Sequence, residues 1–393
     1  MLDLTKHPYL KYPLFGCLYF SEGLAFTIAT VVIIIYFTDI GISIATATLV
    51  AGIAGIPWIL KFVNGPITDY FIKYGRKPFI IFGGMIGAFC LFPLAFIDPQ
   101  TNLIPFTSLL FISHVGIVFV DVSADAWAIQ TAKTHELGKV NAAMTTGLFL
   151  GMAVTSSVLV VIGTTFGFDI TFITAGLIVL VTIVLPIVIE EIKIVKKRQK
   201  ILSLLKFEFK KKNTLIVALF ALFSATNFGI VLFIVPEYMM NILNLNAAQT
   251  GIITSLFPLA TVIGAIIFGI ISDKWSRKKT LYFLFTGIIV FSALLITADT
   301  WQILAIIYPI IGFLHGGASY SVVCALFMDF TNPKIGATQY SIFTSLANFG
   351  DIGIGMVSGT LVLMLGYSRV FLYAAWLVGP TLLILYFIKE KKS

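Results

Sequence analysis

Charge is what this sequence has least of. Only 11% of its 393 residues are Asp, Glu, Lys or Arg, while 59% are hydrophobic. Soluble domains carry about a quarter charged residues, so a water-exposed surface cannot be built from this chain. A mean hydropathy of +1.01 implies that it uses lipid as its solvent. Cysteine is scarce too. Cys17, Cys90 and Cys324 all fall inside apolar runs; they imply no disulfide framework and read as small packing residues. No group of His, Cys or carboxylates has metal-ligand spacing, and no phosphate loop or nucleophile elbow occurs. The sequence therefore calls for no metal and no cofactor. The net charge of +8 sits in short gaps between apolar runs, which is a topology signal rather than a nucleic-acid footprint.

What is present in quantity is long apolar runs. Twelve can cross roughly 30 Å of hydrocarbon as helices. They lie near 12–37, 44–67, 78–97, 104–130, 140–163 and 170–189, then 214–238, 248–271, 280–298, 302–327, 337–364 and 369–388. With the N-terminus inside, all but two of the 26 Lys and Arg residues lie in the inner segments or inner tail. The exceptions are Lys61, within a span, and Arg369. That bias predicts a plasma-membrane protein with both termini cytoplasmic. The first run lacks a small-residue cleavage site and reads as a retained span.

The longest polar segment divides the chain. Residues 1–189 form one six-span unit, 190–212 a basic linker suited to an anionic leaflet, and 213–393 a second six-span unit. Asp69 and Asp273 are 204 positions apart, as are Asp125 and Asp329. Repetition on this scale means a duplicated unit, and paired six-span halves are a transporter architecture. The expected fold is all-α, with twelve transmembrane helices in two pseudo-symmetric six-helix bundles, acting as a monomer.

The repeat is sharpest in one polar loop. Its first copy holds Gly65, Asp69, Gly75, Arg76 and Lys77; its second holds Gly269, Asp273, Lys274, Arg277 and Lys278. This resembles the signature of the major facilitator superfamily, G-x-x-x-D-R/K-x-G-R-K/R. The first copy has three extra residues before Gly75 and Tyr70 in place of a basic residue; the second has Ser276 where glycine is usual. Pro57-Trp58 with Lys61, Asp121-x-x-x-Asp125-Ala126-Trp127 and Gly336-Ala-Thr-Gln339-Tyr340 are similar to the muropeptide permease and acetyl-CoA transporter branch. The resemblance implies transport of bulky polar metabolites, often anionic and commonly with protons. It also implies that the loop residues form a conformational latch. Asp69 would meet the start of span eleven near Gly336-Ala337-Thr338, and Asp273 the start of span five near Asn141, since a helix N-terminus stabilises a carboxylate.

Ionisable residues inside a span cost roughly 2.5–3.5 kcal/mol each at a helix centre, so they are functional candidates. Glu22, Lys61, Asp121, Asp125 and Asp351 qualify; Glu237, at the end of span seven, reads as interfacial. Asp121 and Asp125 are four apart and share one helix face. Either one of them holds a proton or a cation sits between them, and Lys61 is the available cation. Such a pair is a gated charge site or a fixed structural tie. Glu22 lies about 15 Å into span one, near mid-membrane. Asp351 stands among Gly350, Gly353 and Gly355, where helices approach closely or bend. Asn227, Gln339 and Asn348 are candidate hydrogen-bonding contacts to cargo. His114 and His315 are either pH-sensitive or donors to a neighbouring backbone.

The function these residues predict is secondary active transport of a polar, in one version anionic, small organic solute by alternating access. A proton or other ion would couple it, and the partners are that solute, the ion and the bilayer. The runner-up is efflux of lipophilic compounds. A membrane-embedded transferase ranks below both, because the loops are too short for a catalytic cluster.

Overall fold

The computed structural model describes residues 2–4, 7–71, 74–132, 136–191, 201–332 and 335–389. Among the described residues, twelve helices are long and apolar enough to cross a membrane. Spans one to six are Pro8–Asp39, Ile44–Thr68, Lys77–Phe96, Leu103–Thr131, Lys139–Phe166 and Phe168–Val188. Spans seven to twelve are Lys212–Asn241, Ala247–Ser272, Arg277–Thr297, Trp301–Phe330, Thr338–Leu365 and Tyr367–Phe387. A short linker helix, Ile201–Glu208, stands between the two sets. An even number of crossings per half brings both chain ends and the linker to one side, called here the terminal face.

Within each half the first and fifth helices approach at backbone distance, because glycines remove the side chains between them. A Cβ on Gly147 would strike the Gly16 carbonyl, one on Gly23 the Leu148 carbonyl, and one on Gly151 the Phe20 carbonyl. The second half repeats the device between spans seven and eleven, where Gly229 meets the backbone of Asp351 and Gly350 that of Leu222. Lipid supplies no hydrophobic drive between helices, so close packing of this kind is what holds them.

The halves meet along spans two and eleven and along spans five and eight. Gly52 packs on Met356, Gly55 on Ile352, and Gly251 on the Ser156 carbonyl and Val160. Hydrogen bonds lace the first of these seams: Gly359 N donates to Thr48 Oγ1 (3.3 Å), Asn348 Nδ2 to the Trp58 carbonyl (3.1 Å), and Phe62 N to Ser345 Oγ (3.3 Å). Residues 27–35 of span one and 226–239 of span seven are buried without exception. They lie in the half of the bundle away from the terminal face, so the centre is closed there. π-Helical turns at Ile28–Val32, Thr155–Leu159 and Gly316–Val322 widen spans one, five and ten beside this closure, as such turns often do at functional positions.

The signature loop is less of a gap than its polarity suggests. Helix continues through Lys61–Tyr70 in the first half and Ala247–Lys274 in the second, so Asp69 and Asp273 occupy last turns rather than loops. Their side chains, and those of Gly336 and Ala337, lie outside the described residues, and the expected latch contacts fall there. Two of the signature lysines hold helix ends within their own halves. Lys77 Nζ donates to the carbonyls of Ile187 (3.2 Å) and Ile189 (2.7 Å), and Lys278 Nζ to those of Tyr386 (2.7 Å) and Ile388 (3.0 Å). Each lysine thus caps the carbonyl end of the last helix in its own half, where the helix dipole favours a cation. Arg277 pairs with Asp329 at 2.8 Å, again within one half.

One departure from the signature, Ser276 in place of glycine, is explained by how span three and span nine begin. Gly75 has φ +89°, and a Cβ there would collide with the Glu191 carboxylate. Without it, Glu191 accepts from the amides of Arg76 (2.5 Å) and Lys77 (3.0 Å), neutralising the positive end of span three. In the second half Ser276 fills that role, its own hydroxyl accepting from Lys279 N (3.3 Å). A serine N-cap needs no positive φ.

Candidate functional site

Just beyond the closure, toward the terminal face, the intramembrane charges converge. Lys61 Nζ lies 2.5 Å from Asp121 Oδ2 and 3.7 Å from Asp125 Oδ2. Of the two readings open for that carboxylate pair, the cation between them is the one observed. Spacing explains the meeting: Asp121 and Asp125 are one turn apart on span four, and Lys61 comes from the helix packed against it. Asp121 is fully buried, whereas the Asp125 side chain is 37% exposed. The buried member is the fixed anchor and the exposed member opens toward the terminal face.

Tyr19 completes the cluster, its hydroxyl donating to Asp125 Oδ1. Glu22, one turn further along span one, lies within electrostatic reach of Asp121, Lys61 and Asp125. From the other half come Tyr320 and Cys324 on span ten and Tyr340 and Asp351 on span eleven. Tyr320 is within electrostatic reach of Asp351 and Glu22, and Tyr340 of Asp125 and Asp121. Residues of both halves thus meet in one charged region, called here the chamber.

Some unused hydrogen-bonding capacity lies there. Glu22 Oε2, Trp58 Nε1 and Asp351 Oδ1 are buried and have no hydrogen-bond partner among the described residues. Leaving such groups unpaired in a low-dielectric interior costs about 1–3 kcal/mol each. Folding alone gives no return for that cost, and a polar cargo can supply the partners. The aromatic walls include Trp58 and Phe26, whose rings meet edge to face at 6.4 Å.

Three polar residues expected at the cargo bond to other parts of the protein. Asn227 Nδ2 donates to Ser292 Oγ (3.0 Å) and the Ala374 carbonyl (2.9 Å), and His315 Nε2 lies 2.9 Å from its Oδ1. Its amide is saturated by ties among spans seven, nine, ten and twelve. Gln339 Nε2 donates to the Phe330 carbonyl (3.2 Å) and its Oε1 accepts from Asn332 N (2.9 Å), pinning the connection between spans ten and eleven. Asn348 holds the span two–eleven seam described above. His114 bonds two backbone carbonyls, Leu110 (2.8 Å) and Ala25 (3.0 Å), the structural alternative for that residue. Glu237, near the end of span seven away from the terminal face, is buried, accepting from Asn241 and from the Tyr367 hydroxyl.

Sequence reasoning missed Tyr19, Tyr320, Tyr340 and Glu191. Tyr19 carried a usable signal, since it sits three residues before Glu22 on one helix face. The other three are brought to their partners by packing between elements far apart in the chain.

Two matching six-helix bundles around a charged chamber, closed on one side, define a membrane transporter. The chain belongs to the Major Facilitator Superfamily, whose family model matches residues 15–227 and again 217–393. Its curated relatives bear out the resemblance to muropeptide permeases. It is 23% identical over 395 residues to AmpG 4 of Rickettsia conorii, covering 94% of each chain. It is 22% identical over 353 residues to the anhydromuropeptide permease of Escherichia coli K12, covering 85% of this chain and 70% of that one. The solved nucleoside transporter NupG superposes with a TM-score of 0.75 at 16% identity, over 97% of this chain and 99% of that one. The inward-open xylose transporter XylE from E. coli gives 0.74 at 13% identity, over 98% and 96%. At these identities the solved structures show the fold alone. The family and the relatives are transporters and permeases, not enzymes, so the activity is secondary transport of a small molecule across a membrane.

Proposed function

We propose that the chain is a proton-coupled importer of a polar, polyhydroxylated organic solute. The observation that carries this reading is the Lys61–Asp121–Asp125 cluster, with Tyr19 and Glu22, in the chamber where residues of both halves meet. Carboxylates and unpaired donors beside aromatic rings suit hydroxyl-rich cargo, which offers many hydrogen-bonding groups and apolar C–H faces. The names of the relatives, an anhydromuropeptide permease and a D-xylose–proton symporter, favour cargo containing a sugar.

The anionic version needs a condition. Lys61 already serves two aspartates, and the chamber carboxylates outnumber it. An anionic cargo would enter only as protons occupy the surplus carboxylates, which is a physical route to symport. The same charges disfavour lipophilic efflux, because a lipophile would have to desolvate them without compensation. In this reading both termini face the cytoplasm of the plasma membrane, the protein acts as a monomer, and the chamber opens inward.

The test is an uptake panel in proteoliposomes holding the wild type, Glu22→Gln, Asp125→Asn and Lys61→Ala, with and without an imposed pH gradient. Gradient-driven uptake of a sugar-containing metabolite that is lost in the variants is the expected result. Saturable uptake indifferent to the gradient and to all three substitutions would sink the proposal.

A further inference from the structure

A second concavity lies apart from the central chamber. It lies on the outside of the first bundle, between spans one, five and six, with a volume of about 780 Å³. One helical stripe from each span builds it, and the floor is narrow because the residues are small: Gly16, Cys17, Ala142, Ala143 and Gly147. Leu150, Leu177 and Val181 form exposed rims. Glycine packing draws span five onto span one, while span six is joined to span five through the turn at Gly167. The lining positions of spans one and five fall in the halves nearer the terminal face, so the groove lies on that side.

Span five continues the same stripe downward. Lys139 stands three and four residues before Ala142 and Ala143, so it projects from the groove's face at its mouth. Lys139 is exposed and makes no ion pair among the described residues, in contrast to Lys11, which Glu136 holds at 2.6 Å. An apolar slot in the hydrocarbon layer with one free cation at its interfacial end has the charge and polarity pattern of a phospholipid.

We propose that this groove binds an anionic phospholipid of the leaflet on the terminal face. One acyl chain lies along the small-residue floor and the phosphate sits at Lys139. A second copy of the chain fits less well, because the lining offers no carboxylate to a partner's lysine.

Native mass spectrometry of the full-length protein in detergent tests this, with phosphatidylglycerol and phosphatidylcholine of equal chain length as probes. The wild type should retain one phosphatidylglycerol at least five-fold more strongly than phosphatidylcholine. Lys139→Gln should abolish that preference, and Ala142→Trp, which fills the groove from an exposed position, should reduce retention of both lipids. Equal retention of the two lipids by the wild type would overturn the proposal. So would unchanged retention in both variants, or a wild-type dimer that Ala142→Trp disperses. Thermal transitions of the variants within a few degrees of wild type keep the comparison free of folding effects.

Discussion

Lys61 and Asp121 sit 2.5 Å apart in the middle of the membrane-spanning region, and the aspartate has no exposed surface. The pair joins span two to span four, and of the two span-four aspartates it leaves Asp125 the exposed one. A buried anchor and an exposed partner sharing one cation can pass charge between states without creating a bare ion.

Breaking that anchor should cost more than replacing it. Removing one partner of a buried pair typically costs about 3–5 kcal/mol, whereas an apolar replacement of both is often neutral. Lys61→Ala should therefore lower the thermal transition sharply. Lys61→Met combined with Asp121→Leu should recover most of the stability while transport stays absent. A double variant no more stable than Lys61→Ala would show that the pair is not the anchor.

The glycine contacts divide into required and spare positions. Gly23→Val should destabilise by about 1–3 kcal/mol or prevent folding, as overpacking does, since the Leu148 carbonyl occupies the space. Gly353→Ala should be tolerated, because nothing lies within 4 Å of its would-be Cβ. Thermal unfolding in detergent reads both, and equal effects would contradict the packing.

Lys77 and Lys278 make the same cap in the two halves, so their loss should have matching consequences. Lys278→Met should cost about 0.3–1 kcal/mol, the usual worth of a cation at a helix carbonyl end. Hydrogen exchange should quicken near residues 385–388. Lys77→Met should act likewise near 187–190. Faster exchange at the starts of spans five or eleven instead would show that these lysines act in a latch between the halves rather than as caps.

The seam between spans two and eleven should set how readily the chamber is reached. Ser345→Ala with Asn348→Ala removes two cross-half hydrogen bonds, worth about 0.5–1.5 kcal/mol each. Labelling of Cys324 by a polar maleimide from the terminal face should change several-fold. An unaltered rate would mean that these bonds contribute equally in every state of the transport cycle.

Much of this architecture is legible in the chain. The twelve spans follow from run length, because a helix crossing hydrocarbon must be about twenty apolar residues long. The duplication follows from the 204-residue spacing of aspartates, and the Asp121–Asp125 face from helical periodicity. Asn227 and Gln339 show where such reading stops. Both are polar residues inside or beside spans, as Glu22 is, yet their amides are consumed by distant backbone and side-chain partners. Only the tertiary contacts distinguish a satisfied amide from an available one.

By itself, then, the sequence determined the solvent, the number of crossings and the paired halves, since these depend on composition and on local period. Tertiary structure decided that Lys61 neutralises two aspartates at once, that Tyr19, Tyr320 and Tyr340 join them, and that the signature lysines cap helices within their own halves. Those outcomes depend on which helices lie side by side and how far glycines let them approach. That is a property of long-range packing, which neither hydropathy nor spacing along one helix encodes.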